Sequence, residues 1–339
     1  MEMFEVCQEL TLIDSSSSSD AISSKRVRFQ ERAFPMGNVI GVDAYRVNRE
    51  SLKRRFTDGG YEVRETPHFL VCQQSGIPTI IVHWFSPEAI DSDLGQHFIG
   101  ELKPLGVLTN PQSFGDVFGA VVGSVSPHNP ERAWHLFGIN TLHRLHQLLA
   151  AIIRSFHYDS PVEVFATLYR RVYELQVGES LLDAGCSFGF LPLVIAEQLP
   201  ALTKVVGIDI HPEPFSVTRA IAEERHLKSV QFVQADLLGD EIGMMSPFDM
   251  VTVLHVLEHF TETDMYRVLT NLLKITSRRL ILAVPYEPGE PEDAYGHEQL
   301  FTREKLEAVG QWCIEQWGGG TMHCEDCVGG LLYIDRNGI

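Results

Sequence analysis

Three aspartates close three successive apolar runs: Asp183 after Leu181-Leu182, Asp209 after Val205-Val206-Gly207-Ile208, and Asp236 after Phe232-Val233-Gln234-Ala235. A glycine turn, Gly185-Cys186-Ser187-Phe188-Gly189, follows the first of them. A carboxylate directly before such a turn opposes a pyrophosphate and suits a cation. At the end of the second run an acidic side chain can accept both hydroxyls of a ribose, and one after the third can accept an adenine amino group. The glycines are spaced G-x-x-x-G, so the G-x-G-x-x-G dinucleotide fingerprint does not fit. No Gly-Lys-Ser/Thr is present for a phosphate-cradling loop. One acidic strand end means little; three around a glycine turn are hard to produce by accident.

A second set follows the fourth apolar run: His255, Glu258 and His259, with Tyr286 and Tyr295-Gly296-His297 further on. If a helix begins at 255, the i, i+3 and i, i+4 spacing puts all three on one face. A neutral imidazole is a base near pH 7, so His255, His259 and His297 are the candidates for moving a proton. The bland alternatives are that Glu258 and His259 pin a loop and that His297 braces a lid. Cys324-Glu325-Asp326-Cys327 beside His323 is a lone C-x-x-C. Structural zinc usually takes four ligands, so two ordinary thiols are expected there.

Elements must hold these residues in place. From Gly178 onward short apolar strands (Ser180–Asp183, Lys204–Ile210, Val230–Ala235, Phe248–Leu254, Arg279–Val284) alternate with helix-patterned segments (Phe190–Leu199, Pro214–His226, Thr263–Ile275). Alternation of this kind predicts right-handed crossovers and an α/β, Rossmann-like, doubly wound, mostly parallel sheet, with the ligand beyond the carboxyl ends of the strands.

The earlier half is less regular. Residues 1–36, with Ser15 to Ser19, have little to bury and are expected as a flexible leader. Residues 37–133 form an α+β accessory, substrate-covering region: a short helix over Asn48 to Phe56, a strand at Tyr61 to Arg64, and a hairpin from His68–Gln73 to Thr79–Trp84. Glycine and proline recur from Gly95 to Pro130, where loops or a lid are expected. Residues 134–177 are a helical linker or lid. Its aromatics Trp134, Phe137, Phe156, Phe165 and Tyr169 are expected to pack, although a lid over an apolar substrate uses the same types. Residues 178–339 hold the ligand.

With these residues in view, the chain from about Gly178 to Leu332 resembles a class I S-adenosylmethionine-dependent methyltransferase. The matching stretches are LLDAGCSFG, VVGIDIHPE, QADLL and FDMVTVLHVLEHF. The resemblance implies a seven-stranded sheet whose last two strands, antiparallel to each other, fall at Thr321–Cys324 and Leu331–Asp335. It implies that Asp183, Gly185, Cys186 and Gly189 lie near the methionine moiety, Asp209 and Ile210 near the ribose, and Asp236 and Leu237 near the adenine. His255 comes closest to the transferred methyl. A narrower likeness, to the small-RNA 2′-O-methyltransferases, implies a divalent metal held by an E-x-x-E-H element and a later His. Here the pattern is H-x-x-E-H with His297, a donor set suited to Zn²⁺, Fe²⁺ or Mn²⁺ over Mg²⁺.

Charge separates the acceptors. The 339 residues carry 45 acidic against 27 basic side chains, a net charge of −18, and such a surface repels a phosphate backbone. The expectation is a metal-free, His-assisted transferase for a small-molecule acceptor, a natural-product or metabolic intermediate, with S-adenosylmethionine as cofactor. The rivals are a metal-assisted RNA or nucleotide 2′-O-methyltransferase and a non-catalytic cofactor-binding assembly protein. No apolar run reaches the ~18 residues that span a bilayer. The amino terminus lacks a basic-then-apolar signal, and six scattered cysteines suit a reducing compartment, so a cytoplasmic protein is expected. The region before Trp134 is left for acceptor binding or homodimerisation.

Overall fold

The computed structural model describes residues 33–151, 160–287, 289 and 295–337. Phe156 and most of the serine-rich leader lie outside them. The chain divides into two units, Met1–Thr141 and Leu142–Ile339.

The first unit is built on a five-stranded sheet of order β1-β2-β5-β4-β3. Its strands are β1 (Ala33–Met36), β2 (Val39–Asp43), β3 (Glu62–Glu65), β4 (Phe69–Gln73) and β5 (Thr79–His83). The last four residues of the stretch expected as leader are thus β1, paired antiparallel to β2. Helix α1 (Arg49–Asp58) starts where the Asn48 side chain accepts from Ser51 N–H and buries Leu52 and Phe56 against the sheet. The hairpin of β4 and β5 is antiparallel, as its turn residues predict.

Gly95 to Pro130 departs from the expectation of loops. It holds the short helix α2 (Leu94–His97), a π turn over Phe98–Leu102 and the fourteen-residue α3 (Pro111–Ser124). A capping box between Asn110 and Ser113, with proline at the first helical position, begins α3. Glycine marks close packing there: a Cβ at Gly41 of β2 would stand 2.1 Å from the Ala120 carbonyl oxygen of α3. Phe118 of α3 packs on Trp134 and Phe137 of α4 (Pro130–Ala150), so those two aromatics are packing residues.

The second unit holds the seven-stranded sheet, order β11-β12-β10-β9-β6-β7-β8. The strands are β6 (Ser180–Ala184), β7 (Lys204–Asp209), β8 (Val230–Gln234), β9 (Phe248–Leu254), β10 (Thr276–Val284), β11 (Gly320–Asp326) and β12 (Gly330–Arg336). The first five are parallel; β12 runs antiparallel to both β10 and β11. Helix α5 (Pro161–Glu174) precedes β6. The others are α6 (Phe190–Gln198), α7 (Phe215–Glu224), α8 (Glu262–Ile275) and α9 (Arg303–Trp317). The core on one face joins Leu182, Val206, Val251 and Leu282 of the strands to Met265, Leu269, Leu272 and Leu306 of α8 and α9. The α/β class and the doubly wound sheet are those the strand–helix alternation predicts, and the seven strands with β11 and β12 antiparallel are those the resemblance implies. Among the described residues no helix is long and apolar enough to cross a membrane.

Candidate active site

Strand β6 delivers Asp183 and then turns. Gly185 N–H and Cys186 N–H both donate to the Ile208 carbonyl of β7, at 2.8 and 2.9 Å, which bends the chain tightly over the next strand. Gly185 and Gly189 have φ of +78° and +73°, the left-handed region that glycine enters without strain. Ser187 between them has φ +49°, and its N–H donates to Asp209 Oδ2 at 2.8 Å. Asp209 Oδ1 accepts from His211 N–H at 2.9 Å. Each oxygen of Asp209 therefore keeps one lone pair for a ribose hydroxyl.

Beside it Ile210 is 52% exposed, a large apolar face against which a flat base can lie. Asp236 Oδ1 accepts from Leu238 N–H at 2.9 Å, closing the turn after β8. The Leu237 side chain is buried in the core, and Cys186 is buried under the turn.

Asp183 is buried, and burial pushes its carboxyl up to about 7; the Thr252 hydroxyl, donating at 2.8 Å, opposes the rise, and the charge of Asp209 adds to it. Thr252 lies opposite Asp183 in the β6–β9 register.

After β9 the chain does not enter an α-helix. His255 has φ +54°, and Leu257–His259 form a single 3₁₀ turn. The expected common face of 255, 258 and 259 is consequently replaced by a different grouping. Glu258, His259 and His297 present ligand atoms within 4.8 Å of one another. His255 stands apart, with Nδ1 4.0 Å from Glu258 Oε1 and its ring 5.5 Å from that of Phe165 on α5. Its N–H is fixed by the Ala283 carbonyl of β10 at 2.9 Å. Burial holds the imidazole down at about 4, helped by His297 and His259, so it is neutral at pH 7. Among the described residues His255 Nε2 is buried with no hydrogen-bond partner, and so are both oxygens of Glu258. Burial pushes Glu258 up to about 8, with its own backbone N–H opposing and the charge of Glu287 adding. His259 Nδ1 lies 3.2 Å from the Gly296 carbonyl, and burial lowers its pKa. His297 Nδ1 pairs with Glu287 Oε2 at 2.9 Å, its ring edge-on to His259 at 4.8 Å.

Three participants escaped the sequence. Thr252 was legible only through the strand register. Phe165 carried no signal separating it from the packing aromatics, and Glu287 sits in a segment without periodicity. The pair Cys324 and Cys327 are free thiols on and just after β11.

The arrangement fits a nucleoside that carries a cation. A carboxylate with two spare lone pairs and an exposed apolar face meet it at one end. Along the same strand ends lie buried Asp183, near the end of β6, and His255, directly after β9, with its unpartnered nitrogen. Residues 181–278 match the family described as methyltransferase domain. A curated relative, N-methyltransferase 4 of Papaver somniferum, is 26% identical over 102 residues, 30% of this chain and 28% of the relative. The matched region thus spans little more than a quarter of that relative. Among solved structures, the methyltransferase domain of bacterial CtHen1 aligns over 51% of this chain and 99% of its own, with 18% identity and a TM-score of 0.42. Magnesium protoporphyrin IX methyltransferase from Synechocystis PCC 6803, with bound SAH, aligns over 57% and 94%, with 17% identity and a TM-score of 0.39. On the family match, residues 181–278 form a methyltransferase domain of the class I, S-adenosylmethionine-dependent kind.

Proposed function

We propose that the protein transfers a methyl group to a small-molecule acceptor, a natural-product or metabolic intermediate, and that His255 takes the acceptor's proton. Bound S-adenosylmethionine supplies an electrophilic methyl on a sulfonium. The work left to the chain is to hold acceptor and methyl in line and to receive the proton that leaves. His255 suits the second task. Its ring is neutral at pH 7, its backbone is tied to β10, and Nε2 has no partner among the described residues. That unsatisfied buried nitrogen is the observation carrying the reading.

Phe165 gives the acceptor an apolar edge next to the imidazole. His259, held at the Gly296 carbonyl, and His297, paired with Glu287, are assigned to closing over it. Asp183, Gly185, Cys186, Gly189, Asp209, Ile210, Asp236 and Leu237 serve the cofactor side. The net charge of −18 favours a small molecule over a nucleic acid. The region before Trp134 is assigned to acceptor binding or homodimerisation.

The test is His255→Ala. Losing a positioned base costs ~10²–10⁴ in rate, with cofactor affinity unchanged. Full activity in the variant sinks the assignment.

A second reading rests on a different observation. Both oxygens of buried Glu258 lack partners among the described residues, and two imidazoles stand beside them. One carboxylate and two histidines suit Zn²⁺, Fe²⁺ or Mn²⁺, and such an ion would polarise a hydroxyl acceptor. Under the first reading chelation leaves activity intact. A stoichiometric transition metal that disappears in Glu258→Gln, together with activity, would replace the first reading by the second.

A further inference from the structure

The first unit has a cluster of its own that the methyltransferase chemistry does not use. His68 sits in the turn between β3 and β4, His97 is the last residue of α2, and Glu101 lies in the π turn that follows. Their ligand atoms lie within 4.8 Å of one another, although 33 residues separate His68 from Glu101. We propose that His68, His97 and Glu101 form a zinc site.

The donor atoms converge on one carboxylate oxygen. Glu101 Oε1 is 2.5 Å from His68 Nδ1 and 3.4 Å from His97 Nδ1. The other oxygen is already committed, accepting from His68 N–H at 2.9 Å. Metal-ligating carboxylates are commonly anchored in this way, with one oxygen hydrogen-bonded and one left for the ion. The imidazoles are held too. His68 stacks on Phe85 with ring centres 5.2 Å apart and planes 7° from parallel, and the two histidine rings are 4.2 Å apart. His97 and Glu101 share a face at i, i+4 spacing.

The side chains of His68 and His97 are 42% and 34% exposed, so an ion can reach the donors. Two imidazoles and one carboxylate suit Zn²⁺ far better than Mg²⁺ or Ca²⁺, which prefer oxygen. Three protein ligands leave the fourth tetrahedral position for water or an oxygen donor of a bound molecule. The Nδ1–Oε1 contact between His68 and Glu101 is what the ion replaces, so binding releases a proton whenever that contact holds one.

The experiment uses the full chain stripped by chelator and titrated with Zn²⁺ by calorimetry, and with Co²⁺ as a spectroscopic stand-in. His97→Ala and Glu101→Gln should each lose one equivalent of zinc relative to the parent. Direct ligands should cost more than the roughly 10–100-fold seen when an outer partner of a metal ligand is removed. Glu258→Gln and His297→Ala should retain that equivalent, because they belong to the other unit. Tetrahedral Co²⁺ absorption should vanish in His97→Ala and persist in His297→Ala. The proposal is overturned if the parent binds no zinc. It is equally overturned if metal-free, folded His97→Ala and Glu101→Gln both keep the parent's stoichiometry and affinity.

Discussion

Each unit of the chain carries a cluster of two histidines and a glutamate, and the two clusters treat the carboxylate in opposite ways. Glu101 in the first unit is partly buried, and burial alone would raise its pKa. The Thr66 hydroxyl, the His68 backbone N–H and the His68 ring outweigh that and hold the carboxyl below its usual range. Glu258 in the second unit is fully buried, with no hydrogen-bond partner for either oxygen among the described residues, and is pushed up to about 8. Residue types are the same; the number of donors differs. Where the backbone supplies donors, the charged form is stabilised before any ligand arrives. Where only its own backbone N–H opposes burial, as at Glu258, the site waits for a proton or a cation.

The contrast recurs along the cofactor side of the second unit. Asp209 is anchored by two backbone N–H groups at the rim of the glycine turn, whereas Asp183 is buried one strand away and receives the Thr252 hydroxyl. On the proposed reading the rim aspartate accepts the ribose hydroxyls. The buried one is built to respond to a positive charge. Substituting each should give different signatures.

The largest effect is expected at the rim. Asp209→Ala removes the acceptor for two ribose hydroxyls and also frees the Ser187 N–H that shapes the turn. Bonds to a charged acceptor contribute ~1.5–3 kcal/mol, so calorimetry should find S-adenosylmethionine bound about 10–150-fold more weakly. Unchanged affinity would break the distinction, because Asp209 would then do no more than shape the glycine turn.

How much of this was legible in the sequence follows from the same physics. The strands β6 to β10 are legible because each holds a short apolar stretch and alternates with a helix-patterned segment. The aspartates at their ends stood out because a charge there has no packing role. The first unit resisted because α3 breaks the usual signals. Gly115, Gly119 and Gly123 look like loop residues, yet Gly119 and Gly123 face β1, where a Cβ would press on Met36 and Phe34. The turn at His255 is hidden for another reason. A positive φ at a non-glycine residue is imposed by tertiary contacts, here the bond to Ala283, and leaves no local trace. The pairing of His68 with Glu101 is hidden, since 33 residues of sequence separate them.

The next effect is a pH dependence. The folded pKa of Asp183, about 7, lies above its ordinary value of 3.8. The folded protein therefore binds the extra proton between those values, and this group's contribution to stability falls as pH rises through about 7. A sulfonium ligand reverses the preference by favouring the ionised carboxyl. Affinity for S-adenosylmethionine should thus rise up to about tenfold per pH unit below 7 and level off above it. In Asp183→Asn the slope should vanish. A slope that survives in the variant assigns the titration to another group.

Smaller still is the effect of altering donors while leaving the carboxylates in place. Thr252→Val deletes the hydroxyl that reaches Asp183, so the affinity transition should move upward by about one pH unit, and Thr252→Ser should restore it. The counterpart in the first unit is His97→Ala. Glu101 keeps its donors from His68 and Thr66 there, and the lost imidazole is half-exposed, so metal-free stability should change by less than ~0.5 kcal/mol. Denaturant melts of the chelated protein would measure it. If His97→Ala destabilises the first unit by several times that amount, His97 is holding the fold together. The two clusters would then differ less in kind than their donor counts suggest.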